Sequence, residues 1–173
     1  MKVILVGEGT ARSGKSVRWL TLSVVSGVLL LSLTSCVGLF DSTDRLSTAD
    51  LETRIFKIVN DHRLSIGRKA LVWNDAMADE ERAHSQAIAS GQVPFGHQGF
   101  ESRIAQINEI IPWSFIGENV ASARSAEDAL EAWLKSVEHQ IIIEGDFDLT
   151  GVGVVKDPDG PLYYFSQMFL KLL

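Results

Sequence analysis

The chain has 173 residues, 46% hydrophobic and 22% charged, an ordinary globular composition with room for one domain. Its formal net charge is −6, and residues 1–35 hold four of the sixteen basic residues (Lys2, Arg12, Lys15, Arg18) against one acidic residue, Glu8, so the remainder carries −9. So acidic a body repels phosphate backbones and offers nucleic acid no basic stripe, and a single cysteine excludes an internal disulfide framework or a multi-cysteine metal site.

Two motifs compete for the N-terminus. Gly9 to Ser16 satisfies the P-loop pattern G-x-x-x-x-G-K-[ST] behind an apolar, strand-like run, with Lys15 and Ser16 where a nucleotide and its magnesium would sit. The adjoining segment, Trp19 to Leu33, is apolar on all sides rather than amphipathic, and no later strand ends in an aspartate placed for magnesium. The second motif accounts for more residues. Arg12, Lys15 and Arg18 form a positive leader, residues 19–33 an apolar segment of signal-peptide length, and Thr34-Ser35 a small-residue end. The apolar run is shorter than the roughly 20 residues a transmembrane helix needs. Leu33-Thr34-Ser35-Cys36 resembles the bacterial lipobox, whose cysteine is diacylated and becomes the first mature residue. That resemblance implies a lipoprotein signal peptide over 1–35, lipidation at Cys36 and a lipid-anchored tether over 36–50. Two or three acyl chains, palmitate among them, are enough for stable membrane attachment.

The domain then runs over 51–173. Ser47-x-x-Asp50 reads as a capping box opening a helix with Leu51, Ile55, Ile58, Val59 and His62 at helical spacing, ended by Ser65-Ile66-Gly67. Ala70 to Trp73 is a short apolar approach. Asn74 caps a second helix, with Met77, Glu81, His84 and Ile88 along one face and a stop at Ser90-Gly91. Residues 92–119 read as loop-rich, with a short helix available over Glu101 to Ile110. Ser125-x-x-Asp128 opens a short amphipathic helix that ends near Ser136. The period then changes: Thr150 to Val155 is a strand, Asp157 to Pro161 a type I turn with Pro158 second and Gly160 fourth, and Leu162 to Phe169 a second strand. Three helical segments before an antiparallel hairpin predict an α+β fold or an α-β-α sandwich.

The four histidines sit in different surroundings. His62 and His84 fall inside helices on or beside an apolar face, which points to structural roles. His97 lies in the loop Pro94-Phe95-Gly96-His97-Gln98-Gly99-Phe100, and His139 comes after a helix end. Glu118 stands in Gly117-Glu118-Asn119 between apolar flanks. Loop histidines and such a carboxylate are what a site on a rigid scaffold looks like. No H-E-x-x-H, G-x-S-x-G or paired-cysteine motif is present.

Taken in order, several pieces resemble the CAP superfamily (cysteine-rich secretory, antigen 5 and pathogenesis-related proteins), in its disulfide-free bacterial branch. They are Asn60-x-x-Arg63, Leu71-x-Trp73-Asn74, Gly96-His97-x-Gly99-Phe100-x-x-Arg103-Ile104, Gly117-Glu118-Asn119-Val120-Ala121, Trp133-Leu134-x-Ser136-x-x-His139 and Gly151-Val152-Gly153. The resemblance implies a three-layer α-β-α sandwich with a C-terminal hairpin and a cleft where His97, Glu118 and His139 converge, Glu138 nearby as a fourth polar member. The branch usually has glycine before its second histidine and Arg-x-Asn-Ile after it. This chain has Glu138 before and Gln140-Ile141-Ile142-Ile143 after. Glu138 would either strengthen cation binding or repel Glu118 and raise one carboxylate's pKa.

These residues are compatible with two functions. One is a non-catalytic binding module at the cell envelope, membrane-attached through Cys36, holding a lipid, glycan or protein ligand. The other is a metal-dependent, hydrolase-like site in which His97, His139 and Glu118 hold a divalent cation such as zinc and leave a fourth position to water. A buried hydrogen-bonded network that only fixes loop geometry is the third reading. No residue is assigned as catalytic.

Overall fold

The computed structural model describes the backbone of Lys2–Leu5 and residues 46–173. Of the export segment expected over 1–35 only the backbone of Lys2–Leu5 is described, as a strand of the domain's sheet; the rest of that segment, Cys36 and most of the tether fall outside the described residues. Strand β1 is Lys2–Leu5. After it come α1 (Thr48–Ser65), β2 (Val72–Trp73), α2 (Asp75–Ala89), α3 (Phe100–Ile110), β3 (Trp113–Ala123), α4 (Ala126–Lys135), α5 (Val137–Ile143), β4 (Leu149–Lys156) and β5 (Tyr163–Leu172). One sheet orders them β1-β3-β5-β4-β2. β5 pairs antiparallel with both β3 and β4, while β1 and β2 lie parallel on the two edges.

Local chemistry starts the helices where their caps predict. Ser47 Oγ accepts from Asp50 N at 3.1 Å and Asp50 accepts from Ser47 N at 3.0 Å, a complete capping box. Asn74 accepts from Met77 N, and Ser125 from Asp128 N. Two segments depart from the sequence reading. The loop-rich stretch holds most of β3, an eleven-residue interior strand of the sheet. Buried on both faces, it lacks the polar–apolar alternation that marks a half-exposed strand. The residues after Ser136 form α5, so His139 sits inside a short helix rather than beyond a helix end.

The sheet separates two unlike packing layers. On one face α1, α4 and α5 cover Leu51, Ile55, Trp133, Ile142, Val152, Val154, Phe165 and Phe169. On the other, α2 and α3 cover Met77, Ile104, Ile107, Ile116, Met168 and Leu170. This is the α+β, three-layer arrangement the resemblance implied. α2 lies unusually close to β4. A Cβ built on Gly151 would stand 2.2 Å from Ala78 N, and one on Gly153 would stand 2.1 Å from Arg82 N. Glycine is what lets the helix backbone rest directly on the strand.

The Asn60-x-x-Arg63 piece has a definite task. Asn60 exchanges two hydrogen bonds with the backbone of Leu71, at 3.1 and 2.7 Å. Buried Arg63 donates to the carbonyls of Lys69, Ile143, Gly145 and Phe147. The end of α1 thus fixes the approach to β2 and the connection from α5 to β4. No helix among the described residues is long and apolar enough to cross a membrane.

Candidate functional site

β3 brings Glu118 into the α2–α3 layer with no solvent exposure. Its two oxygens are taken. Oε2 meets His97 Nδ1 at 2.6 Å and Oε1 accepts from Arg103 Nη2. Burial pushes the Glu118 carboxyl upward, but His97 and Arg103 outweigh it and hold the group below the ordinary glutamate value. Because Glu118 is ionised and can only accept, Nδ1 of His97 carries the proton between them. This is the carboxylate–histidine arrangement that fixes a ring's tautomer and orientation.

The loop carrying His97 is held from both ends. His84 Nε2 lies 2.7 Å from Gly96 O, and Arg103 Nη1 donates to Gln98 O at 2.9 Å. Gly99 takes the left-handed conformation (φ +79°) as it caps α3. Arg103 also stacks over the Phe100 ring at 5.7 Å. Burial lowers the His84 pKa, so the ring is neutral where it holds the loop. His62 lies elsewhere, 3.0 Å from Glu144 at the ends of α1 and α5.

His139 enters from α5. It is 5% exposed, and among the described residues neither ring nitrogen has a hydrogen-bond partner. Asn119 Nδ2 donates to its carbonyl at 3.2 Å. Burial lowers its pKa, and His97 is near enough to add like-charge repulsion. Both sources favour a neutral ring. Glu138 points to the exposed side of α5, where it accepts from Ser136 Oγ at 2.9 Å, and that bond holds its pKa low.

Two residues outside the predicted set belong to the cluster. Arg103 stands in the quoted motif, and its role appears only with its distance to Glu118. Glu81, from α2, is completely buried, and its Oε1 lies 3.8 Å from Arg103 Nε. Its signal is legible in the helix spacing, which puts an acid between Met77 and His84 on the core face. Burial, with Glu118 second, pushes the Glu81 carboxyl well above the ordinary glutamate value. Glu81, and not Glu138, is therefore the acid that faces Glu118. Among the described residues no group of three or more His, Cys, Asp or Glu side chains is arranged to hold a metal ion.

The domain thus carries a buried His–Glu–Arg cluster beside a second histidine, His139, between the layers of an α-β-α sandwich. The Cysteine-rich secretory protein family (CAP) matches residues 56–169, and the chain belongs to that family. Among solved structures, an outer surface protein of Borrelia burgdorferi superposes with a TM-score of 0.63 at 18% identity, over 74% of this chain and 97% of that one. An extracellular SCP-domain protein of Bacillus anthracis gives 0.61 at 22%, over 73% and 44%. A cysteine-rich secretory protein of Staphylococcus aureus gives 0.59 at 18%, over 72% and 39%. This chain thus spans less than half the length of the last two, and at these identities the likeness is one of fold. No curated protein matches the chain.

Proposed function

We propose that the chain is an exported cell-envelope lipoprotein, anchored through acyl chains on Cys36, whose domain is a non-catalytic binding module built on His97, Glu118 and His139. The observation that carries the binding reading is His139. A buried polar group without a partner costs free energy. A neutral imidazole without a partner among the described residues, beside an oriented His97, therefore marks a place for a polar group of a ligand. The signal-like segment over 1–35 supports export, as do the outer-surface and extracellular descriptions of the structural relatives. The ligand class is an envelope lipid, glycan or protein.

A divalent cation such as zinc is the alternative, with His97 and His139 as nitrogen ligands. Both oxygens of Glu118 are already engaged by His97 and Arg103. In this arrangement Glu118 serves as the orienting carboxylate behind His97. A zinc hydrolase needs a third protein ligand and an open water position, and this supports the binding module over the hydrolase. Zinc titration of the full chain by calorimetry, beside a His97→Ala/His139→Ala double variant, separates them. Stoichiometric zinc lost in the double variant establishes the cation reading, and no binding above background removes it. For the anchor, Cys36→Ala is expected to leave the membrane fraction and lose the acyl mass. Unchanged acylation would sink it.

A further inference from the structure

We propose that the outer edge of β3, from Phe115 to Glu118, is a strand-addition site for an extended aliphatic segment of a partner protein, and that Lys2–Leu5 shows how such a segment binds. β1 pairs parallel with β3, in register from Lys2 opposite Phe115 to Leu5 opposite Glu118. Its sequence is Lys-Val-Ile-Leu, aliphatic after the lysine and β-branched at two positions, which suits a strand. β5 takes the other side of β3 along its whole length. Without β1, the outward N–H and C=O groups of 115–118 are therefore an open row. Sheet edges are ordinarily blunted by charge, proline, shortness or a covering element. The opposite edge follows that rule, since β2 is two residues long. β3 does not. Phe115-Ile116-Gly117 holds no charge and no proline, and the Glu118 carboxylate is turned into the site, engaged by His97 and Arg103. The one register irregularity lies before this stretch, between Trp113 and Phe115. Phe115 is 44% exposed even with β1 in place and offers an apolar ring beside the edge.

The proposal rests on the export reading. Lys2–Leu5 precedes Arg12, Lys15 and Arg18 and the apolar run over 19–33. In a chain exported by that segment, the positive end stays on the side of synthesis while the domain crosses. Cleavage before Cys36 then removes Lys2–Leu5 from the protein. β1 closes the sheet only in a chain that has not crossed, and at the envelope the edge stands open. A partner strand supplies the same main-chain hydrogen bonds there, and its alternate side chains give selectivity. The position of the edge ties it to the site. Leu5 stands opposite Glu118, so an added strand ends at the residue that orients His97 and restrains the strand that carries it.

Amide hydrogen exchange across β3 tests this, with the amides of β5 as the internal reference. In the full unprocessed chain in detergent micelles, the amides of 115–118 that point away from β5 should be protected. Adjacent N–H groups of a strand point to opposite sides, so a Val3→Pro/Ile4→Pro double variant removes one that faces β3 and breaks the pairing. Exchange of those amides should then rise about tenfold or more, with β5 unchanged. The chain processed to Cys36 should exchange as fast as the double variant. A synthetic peptide of residues 1–8 should restore protection in both forms, and the same peptide with both prolines should not. Equal protection in wild type and the double variant overturns the proposal, as does a peptide that protects neither form. So does a processed chain protected without peptide, whether its cover is a second copy, seen as a dimer in sedimentation, or another segment of the chain. If Cys36 is never acylated and residues 1–35 stay attached, the lipoprotein reading fails alone, and the double variant with added peptide still decides the edge.

Discussion

The two faces of the sheet are built on different principles. The α1–α4–α5 face is packed by Trp133, Phe165, Phe169, Val152 and Val154 against aliphatic helix residues. The α2–α3 face buries Glu81, His84, Arg103 and Glu118 beside its smaller apolar cluster. Both faces bury charge, Glu52 and Arg63 on α1 and Glu81, Arg103 and Glu118 on the other side. The larger apolar cluster, however, lies on the α1–α4–α5 face and the paired buried carboxylates on the α2–α3 face. The site draws His97, Arg103 and Glu118 from the second face and His139 from α5.

The largest effects test that division directly. Trp133→Ala in the larger apolar cluster should cost about 3–5 kcal/mol in urea unfolding, a transfer loss plus a cavity. That loss should be the same at pH 7 and pH 5. Arg103→Met should cost a similar amount, about 3–5 kcal/mol, by leaving Glu118 charged and short of its cation. This second loss should shrink as the pH falls and Glu118 takes a proton. If both losses proved equally indifferent to pH, the two faces would not differ in the way described.

Gly153→Ala comes next. Its Cβ would stand 2.1 Å from Arg82 N and from Glu81 C, which are backbone atoms that cannot swing away. Overpacking of this kind costs about 1–3 kcal/mol. Because the helix must lift from β4, the variant should also disturb the His97 signals far more than Trp133→Ala does. A Gly153→Ala protein with wild-type stability and wild-type His97 would show that the close approach of α2 is not what seats Glu81.

The helix starts were legible on both faces. Ser47, Asn74 and Ser125 act within three residues of themselves, so the starts of α1, α2 and α4 can be read locally. The turn at Asp157 to Gly160 is equally local, and it places the hairpin. β3 was hidden because its pairing partner, β5, lies some fifty residues away and because burial on both faces removes the alternation that marks a strand. At the site, His97, Glu118 and His139 came from the family resemblance rather than from spacing. Their roles needed distances: Glu118 orients His97, and Glu138 turns outward to Ser136. Glu81 showed only as an acid on a core-facing stripe, a pattern that reads as a boundary residue until Gly151 and Gly153 are seen to draw α2 inward.

The smallest effect, and the most specific to the site's buried titratable groups, is a pair of opposed pH slopes. His84 and His139 are held below their ordinary value of 6.5 by burial. The unfolded chain binds their protons first, so their contribution is complete above pH 6.5 and is lost as the pH falls below it. Glu81 is raised above 4.5, so here the folded chain binds the extra proton. Its contribution is complete below pH 4.5 and is lost as the pH climbs from there toward its raised value. Each group changes stability by at most about 1.4 kcal/mol per pH unit. Glu81→Gln removes only the second slope. Relative to wild type, it should therefore gain stability steadily as the pH rises from about 4.5, while its acid loss below 6.5 stays in place. Parallel wild-type and Glu81→Gln curves across that range would mean that Glu81 is ionised in the folded protein, and the α2–α3 face would then hold two anions against one arginine.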